Sequence, residues 1–162
     1  MKKVFAGLVG FGFAAATAAA EVTVRETDGV VRVEIDGALF SDYHYQEVAR
    51  PYLYPVIGPT GVPMTRDWPM VKVEGDATDH IHHKGIWYAH GNVNGLDFWS
   101  EQKAFGKTVH QKFLELRSGK EEGVIRSLNN WVASAARSFA PTSACCASAL
   151  TAPCGALISR SR

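Results

Sequence analysis

The stretch Glu21–Gly37, EVTVRETDGVVRVEIDG, decides the fold, because valines and polar residues alternate along it with a period of two. Such alternation is typical of strands that bury one face. The pairs Asp28-Gly29 and Asp36-Gly37 interrupt the alternation. Asp-Gly is a strong signal for a two-residue turn between antiparallel strands. The stretch therefore predicts consecutive β-hairpins.

The segments that follow extend this β-rich pattern. Residues 40–54 carry alternating aromatic rings, and residues 107–116 and 122–131 are two further candidate strands. Residues 64–100 lack periodicity and mix tryptophan with histidine, glycine and acidic residues, which is typical of a site carried on loops. We find no internal repeat and no long, capped amphipathic helix pattern. We therefore predict a mainly β fold, an antiparallel β-sandwich over residues 21–133.

The start of the chain predicts export. Two lysines follow Met1, residues 4–20 carry no charge, and Ala18-Ala19-Ala20 supplies the small residues that a signal peptidase accepts. We expect residues 1–20 to be a cleaved signal peptide and the mature chain to be periplasmic or secreted. A retained membrane anchor is the weaker alternative, since the apolar segment is short for a spanning helix. After cleavage we expect no membrane span.

The charge balance narrows the class of partner. The formal net charge is +1, and no concentrated basic face is evident, which argues against nucleic acid as a partner. Aromatic residues make up 10% of the chain, which fits one packed domain with a ring-lined polar site. We expect a small-molecule or carbohydrate ligand.

The composition changes abruptly at residue 134. From there to residue 162 the chain is rich in Ala, Ser and Arg and contains no Asp or Glu. If this segment is assumed to be encoded by GC-rich codons, translation in the neighbouring reading frame gives a different sequence. That sequence has an Asp-Gly turn between runs that alternate like strands. We interpret residues 134–162 as a non-native or disordered tail and expect the β-sandwich to be incomplete at its C-terminus. All three cysteines lie in this tail, so we infer no disulfide from them.

The densest polar cluster is DHIHHKG at residues 79–85. In a strand, His80 and His82 would share a face and His83 would point away. A His-x-His pair with a third ligand can bind a divalent transition metal such as zinc, iron, copper or manganese. The candidates for that third ligand are His90, Glu101 and His44. Two readings without metal stay open: the imidazoles hydrogen-bond a ligand directly, or they are satisfied polar groups of the core.

Aromatic and amide side chains follow closely. Trp87 and Trp99 lie near Asn92 and Asn94, a combination typical of carbohydrate sites, where rings stack on sugar C–H faces and amides bind hydroxyls. The alternative is that the rings are core, which we favour for Phe98. Arg50 and Tyr52 are candidates to clamp an anionic or hydroxylated ligand.

These patterns define a predicted site. The candidate catalytic residues are His80, His82, His83, Glu101 and Asp97. The candidate ligand-binding residues are Arg50, Tyr52, Trp87, His90, Asn92, Asn94 and Trp99. The candidate metal ligands are His80 and His82. In an enzymatic version, one imidazole acts as general acid or base toward a ring hydroxyl or glycosidic oxygen, with Glu101 or Asp97 as its carboxylate partner.

Several of these stretches together resemble a known family of secreted bacterial proteins, the PmoA-like family. They are RPY at residues 50–52, TRDWP at 65–69, DHIHHKGIW at 79–87 and GNVNGLDFW at 91–99. The resemblance covers about residues 21–133 and implies a β-sandwich, similar in outline to mutarotase-like proteins, that is associated with carbohydrate breakdown. Relatives are longer than this chain. The methane-oxygenase activity in the family's label is not expected, because that subunit is an integral membrane protein.

The leading hypothesis is an exported protein that binds or processes a carbohydrate, as a hydrolase, a lyase or an epimerase if it is an enzyme. One alternative is a metalloprotein in which His80 and His82 bind a transition metal for oxidative or lytic chemistry. Another is a non-catalytic binding module. Replacing His82 with alanine separates the three hypotheses. Loss of turnover with retained sugar binding favours an enzyme, loss of bound metal favours the metalloprotein, and no effect favours the binding module.

Overall fold

The computed structural model describes residues 21–102 and 105–133 together with the backbone of residues 150–159. The predicted signal peptide, residues 1–20, and residues 134–149 of the predicted tail lie outside the described residues. Within the described part there are nine strands and no helix. In chain order they are β1 (Glu21–Thr27), β2 (Val30–Ile35), β3 (Ala38–His44), β4 (Tyr52–Val56), β5 (Ile86–Trp87), β6 (Gly106–Arg117), β7 (Gly119–Lys120), β8 (Glu122–Ala133) and β9 (Leu150–Ser159).

The strands form two antiparallel sheets. One has six strands in the order β5-β4-β3-β2-β1-β7, and the other has three in the order β6-β8-β9. The predicted hairpins are confirmed: β1 pairs with β2 in the register Val24↔Val33, and β2 pairs with β3. Asp28 and Gly29 have φ of 47° and 79°, and Asp36 and Gly37 are similar. Positive φ at both central residues is the type I′ geometry that suits the twist of a hairpin.

The core lies between the two sheets. Val22, Val31 and Val33 of the larger sheet are fully buried and pack in one cluster with Ile125 of β8. Burying such a side chain contributes roughly 1.5–3 kcal/mol. The alternation read from the sequence thus places one face of β1 and β2 against the smaller sheet, and the predicted mainly β, antiparallel sandwich is confirmed.

A long connection between β4 and β6 carries most of the predicted site residues. Its only strand within the described residues is β5, where Trp87 pairs with Tyr52 and Ile86 with Leu53. Near the end of the connection, the amide of Gly106 donates to the carbonyl of Asp97 at 2.7 Å. The connection is therefore attached to the sandwich at the edge beside β4 and again at the start of β6.

The described residues include no helix with the length and apolarity that a membrane crossing requires. In the tail, residues 150–159 pair antiparallel with β8. The non-native origin proposed for residues 134–162 stays a prediction.

Candidate functional site

The three histidines of residues 80–83 lie in one ring cluster. His80 stacks on His83 with ring centroids 4.9 Å apart, and His82 meets His83 edge to face at 4.4 Å. The segment is a turn, not a strand: His80 has φ of 46°, and the amide of His83 donates to the His80 carbonyl at 2.9 Å. Strand alternation therefore does not apply here, and His83 joins its neighbours instead of pointing away.

Two tryptophans form a wall beside these imidazoles. The ring centroids of Trp87 and Trp99 are 4.8 Å apart with their planes at 62°. His82 lies 6.4 Å from Trp99, and His83 lies 6.0 Å from Trp87. Trp99 is 45% exposed, so its ring is open to a ligand. We call these five residues (His80, His82, His83, Trp87 and Trp99) the His–Trp cluster.

Arg50 contacts both tryptophans from the buried side of the site. Its side chain is 2% exposed, it donates to the Trp99 carbonyl at 2.9 Å, and its guanidinium carbon lies 5.2 Å from the centre of the Trp87 ring. Burial lowers the pKa of Arg50, and the nearby Glu101 carboxylate partly opposes this shift. The structure therefore places Arg50 as a buried support for the ring wall, and its role as a ligand clamp stays a prediction.

Glu101 is engaged by two cations. Lys84 donates to its two carboxylate oxygens at 2.7 and 3.0 Å, and Arg50 approaches it at 3.5 Å. Nearby, Tyr52 stacks on His44 at 4.8 Å, and burial with the Glu101 charge raises the pKa of Tyr52. Glu101 thus anchors Lys84 and Arg50, and within the described residues it makes no hydrogen bond to an imidazole; its catalytic role stays a prediction.

The carboxylate that does pair with an imidazole is Asp79. Nδ1 of His80 donates to Oδ2 of Asp79 at 2.7 Å, and Arg66 contacts the other oxygen at 3.2 Å. The hydrogen bonds from His80 and Arg66 lower the pKa of Asp79. The sequence prediction assigned this role to Glu101 or Asp97 and missed Asp79, although Asp79 immediately precedes His80. With Nδ1 protonated, Nε2 is the basic nitrogen of His80.

His82 is the most buried of the three imidazoles. It is 6% exposed, and its Nδ1 atom finds no hydrogen-bond partner among the described residues. Burial is the main cause that lowers the pKa of His82, and the electrostatic effect of Arg50 acts in the same direction. Its ring is therefore neutral at pH 7. Leaving such a polar atom unpaired costs about 1–3 kcal/mol.

Asp97 builds the loop that carries Trp99. Its Oδ1 accepts from the Trp99 amide at 2.7 Å, and its carboxylate accepts from the amide and hydroxyl of Ser100. The Ser100 hydroxyl is the main cause that lowers the pKa of Asp97. Next to it, Phe98 is buried against Trp131 with ring centroids 4.7 Å apart, as expected for a core residue.

The predicted amides also have local contacts. Asn94 and Gly95 are the central residues of a tight hairpin turn, with φ of 52° and 79°. The side-chain oxygen of Asn92 accepts a hydrogen bond from the backbone amide of Gly95 at 2.9 Å. The backbone amide of Asn92 donates to Nδ1 of His90 at 3.3 Å. Asn-Gly is itself a hairpin signal, and this signal could have identified the turn from the sequence. Ligand roles for His90, Asn92 and Asn94 stay predictions.

The predicted metal site can be compared with this geometry. Within the described residues, no group of three or more His, Cys, Asp or Glu is arranged to hold a metal ion. The third-ligand candidates have other contacts: Glu101 binds Lys84, and Nε2 of His44 donates to the Tyr54 carbonyl at 2.9 Å. Metal binding at His80 and His82 stays a prediction.

Comparison with known proteins gives one match. A protein-family model, described as a family of unknown function (DUF6807), matches residues 30–143. Neither a curated protein nor a solved structure matches the chain.

Proposed function

Because the chain belongs to the DUF6807 family of unknown function, we propose its function from the site: it is an exported protein that binds or processes a carbohydrate at the His–Trp cluster. One observation carries the proposal. The Trp99 ring is exposed, stands at 62° to Trp87, and has the centre of the His82 imidazole 6.4 Å from its own centre.

This combination suits the surface of a sugar. A pyranose presents C–H groups on its faces and hydroxyls at its edge, so it needs an open aromatic ring and polar atoms at the ring's margin. Trp99 supplies the ring, and the imidazole of His82, 6.4 Å from it, supplies a neutral polar ring at its margin. A charged partner is not required, because the pKa of His82 is lowered and the ring is neutral.

The Asp79–His80 pair supports an enzymatic version. Asp79 holds the imidazole by Nδ1, and the His80 side chain is 55% exposed. Nε2 of His80 is therefore basic and accessible, and it acts as a general base that takes a proton from a sugar hydroxyl or from water. In this version Asp79 has the role that the sequence suggested for Glu101 or Asp97.

Two sequence features support the exported and carbohydrate-related parts of the proposal. Residues 1–20 have the basic start, apolar segment and small-residue end of a signal peptide. The motifs of residues 79–87 and 91–99 resemble those of secreted PmoA-like proteins, which are associated with carbohydrate breakdown.

The proposal is tested by calorimetric titration of the purified full chain with a panel of methyl glycosides and short oligosaccharides. Trp99→Ala should weaken binding roughly tenfold or more, since ~1.4 kcal/mol of lost contact corresponds to a factor of ten. Tyr88→Ala is the matched control, because Tyr88 is an exposed ring that packs on Trp131 outside the cluster. The proposal is wrong if no sugar binds, or if both variants lose affinity equally.

A second variant separates catalysis from binding. His80→Asn removes the basic Nε2 and should abolish turnover of a bound glycoside while the dissociation constant stays within a few-fold of the wild-type value. Metal analysis of the same samples adds an independent outcome. Stoichiometric zinc, iron, copper or manganese that is lost in His82→Ala would replace the sugar proposal with a metalloprotein.

A further inference from the structure

A large cleft adjoins the His–Trp cluster. It has a volume of about 880 Å³ and lies between the segment that follows β3 and the first residues of β6. Ligand pockets in proteins span roughly 300–1,000 Å³, so this cleft is at the upper end of that range. The residues used in the argument below are Glu47, Lys84, Glu101, Phe105, Lys107 and Val109.

The Lys84–Glu101 ion pair links the cleft to the two segments that carry the cluster. Lys84 and Glu101 line the cleft, and their ion pair joins the histidine turn to the loop that carries Trp99. Glu101 also contacts Arg50, which holds the Trp99 carbonyl. The cleft is therefore connected to the histidine turn and to the Trp99 loop through this one ion pair.

The lining of the cleft combines apolar surface with polar groups of both charges. Val109, which is 39% exposed, and Phe105 supply apolar surface, while the polar groups are at separate points. Lys107 and Glu47 supply exposed charges of opposite sign to the lining. The Glu101 charge is already balanced by Lys84 and Arg50. Apolar surface with scattered hydrogen-bonding groups is the composition that sugar rings and hydroxyls require.

We propose that the ligand is an oligosaccharide that places one sugar unit on the His–Trp cluster and further units in the cleft beyond the Lys84–Glu101 ion pair. This inference rests on the proposed function and adds the substrate class. A single sugar unit would occupy the cluster and leave the cleft unused. A chain of several units uses both surfaces, so affinity rises with chain length.

The test is titration of the full chain with gluco-, xylo- and manno-oligosaccharides of one to six units. For the wild type, affinity should rise at least roughly tenfold between one unit and the length that fills the cleft. Val109→Lys places a charged side chain on the apolar part of the cleft and should remove this length dependence without changing binding of the single unit. Leu114→Lys is the matched control, because Leu114 is also an exposed apolar residue of β6 but does not line the cleft.

Lys107→Ala provides a second probe that removes only an exposed side chain of the cleft, and it should weaken binding of the longer sugars alone. Equal affinity for all lengths, or a Val109→Lys variant that folds and keeps the length dependence, overturns the inference and leaves the proposed function standing. If no sugar of any length binds, the proposed function fails and the inference fails with it.

Discussion

At the scale of single residues, Gly85 determines how closely the histidine turn approaches the sheet. A Cβ atom at this position would lie 2.1 Å from the Leu53 carbonyl oxygen, and Gly85 has φ of +61°. Only a residue without a side chain fits both the close contact and the left-handed backbone.

Gly85→Ala should therefore lower the free energy of unfolding by roughly 2–4 kcal/mol, from left-handed backbone strain together with overpacking. Urea denaturation followed by tryptophan fluorescence measures this change. Gly91→Ala is the control, because a Cβ there meets nothing within 4 Å and the residue needs no positive φ. Equal stability of the two variants would show that the 80–85 turn does not need its close contact with β4.

A second residue-scale property is the dependence of stability on pH. Burial lowers the pKa of His110 below its ordinary value of 6.5, although Asn129 and Glu26 oppose the shift. Between the two pKa values the unfolded chain binds more protons than the folded protein, so stability is complete above about pH 6.5 and is lost as the pH falls. Burial shifts the pKa of His82 in the same direction.

We expect the free energy of unfolding to decrease from pH 7 to pH 5. The decrease should be smaller in His110→Gln, because glutamine cannot take up the proton. Part of the decrease should remain, because His82 is still present. Urea titrations at half-unit pH steps give the slopes. Asp79 and Asp97 do not interfere, because lowered pKa values place their titration below 3.8. Identical slopes for the wild type and the variant would contradict the assignment to His110.

At the scale of structural elements, a small hairpin positions the exposed tryptophan. Val93 and Leu96 exchange two backbone hydrogen bonds of 2.8 and 3.0 Å around Asn94 and Gly95. The amide of Phe98 then donates to the His90 carbonyl at 3.1 Å, which returns the chain toward Trp99. The turn thus sets the direction in which the Trp99 loop begins.

Asn94→Ala should cost about 1–2 kcal/mol of local stability, since alanine is less favourable than asparagine in the left-handed region. We expect faster amide hydrogen exchange over residues 90–100 and weaker sugar binding. The comparison is Asp36→Ala, which alters a turn with the same φ of 52° between β2 and β3, away from the site. Loss of sugar affinity in Asp36→Ala as well would mean that general destabilisation, and not this hairpin, controls the site.

At the scale of the whole molecule, stability depends on the apolar contact between the two sheets. Ile125 of β8 is 2% exposed and packs with the buried valines of β1 and β2. A hydrogen bond between the hydroxyls of Tyr43 and Ser127, at 3.2 Å, also crosses this contact. The sheets are therefore expected to unfold together.

Ile125→Ala should lower the free energy of unfolding by about 2–4 kcal/mol, through lost burial and a residual cavity. Leu114→Ala, on the exposed side of the neighbouring strand, should change it by less than about 0.5 kcal/mol. Circular dichroism and tryptophan fluorescence should give one coincident transition in each case. Two separate transitions would show that the sheets fold independently.

The strands and turns near the start of the described chain depend on local information, which is why the sequence predicts them well. Alternating valines and the Asp-Gly pairs specify β1, β2 and their turns from neighbouring residues alone. The same local rule failed at residues 79–85, because His80 has a positive φ and the segment is not extended. Sequence spacing also could not show that Glu101 binds Lys84 and Arg50, since these residues meet through the fold.

By itself, the sequence determined the mainly β, antiparallel class, the hairpins around Asp28-Gly29 and Asp36-Gly37, and the concentration of histidine and tryptophan after β4. Backbone periodicity and turn chemistry are short-range properties, so they can be read along the chain. Only the tertiary structure decided which side chains meet: Arg50 beneath Trp87, and the Lys84–Glu101 pair between the cluster and the cleft. Those contacts depend on where β5 and the start of β6 attach a long connection to the sandwich. The distance in space between two residues of that connection cannot be read from their separation in the sequence.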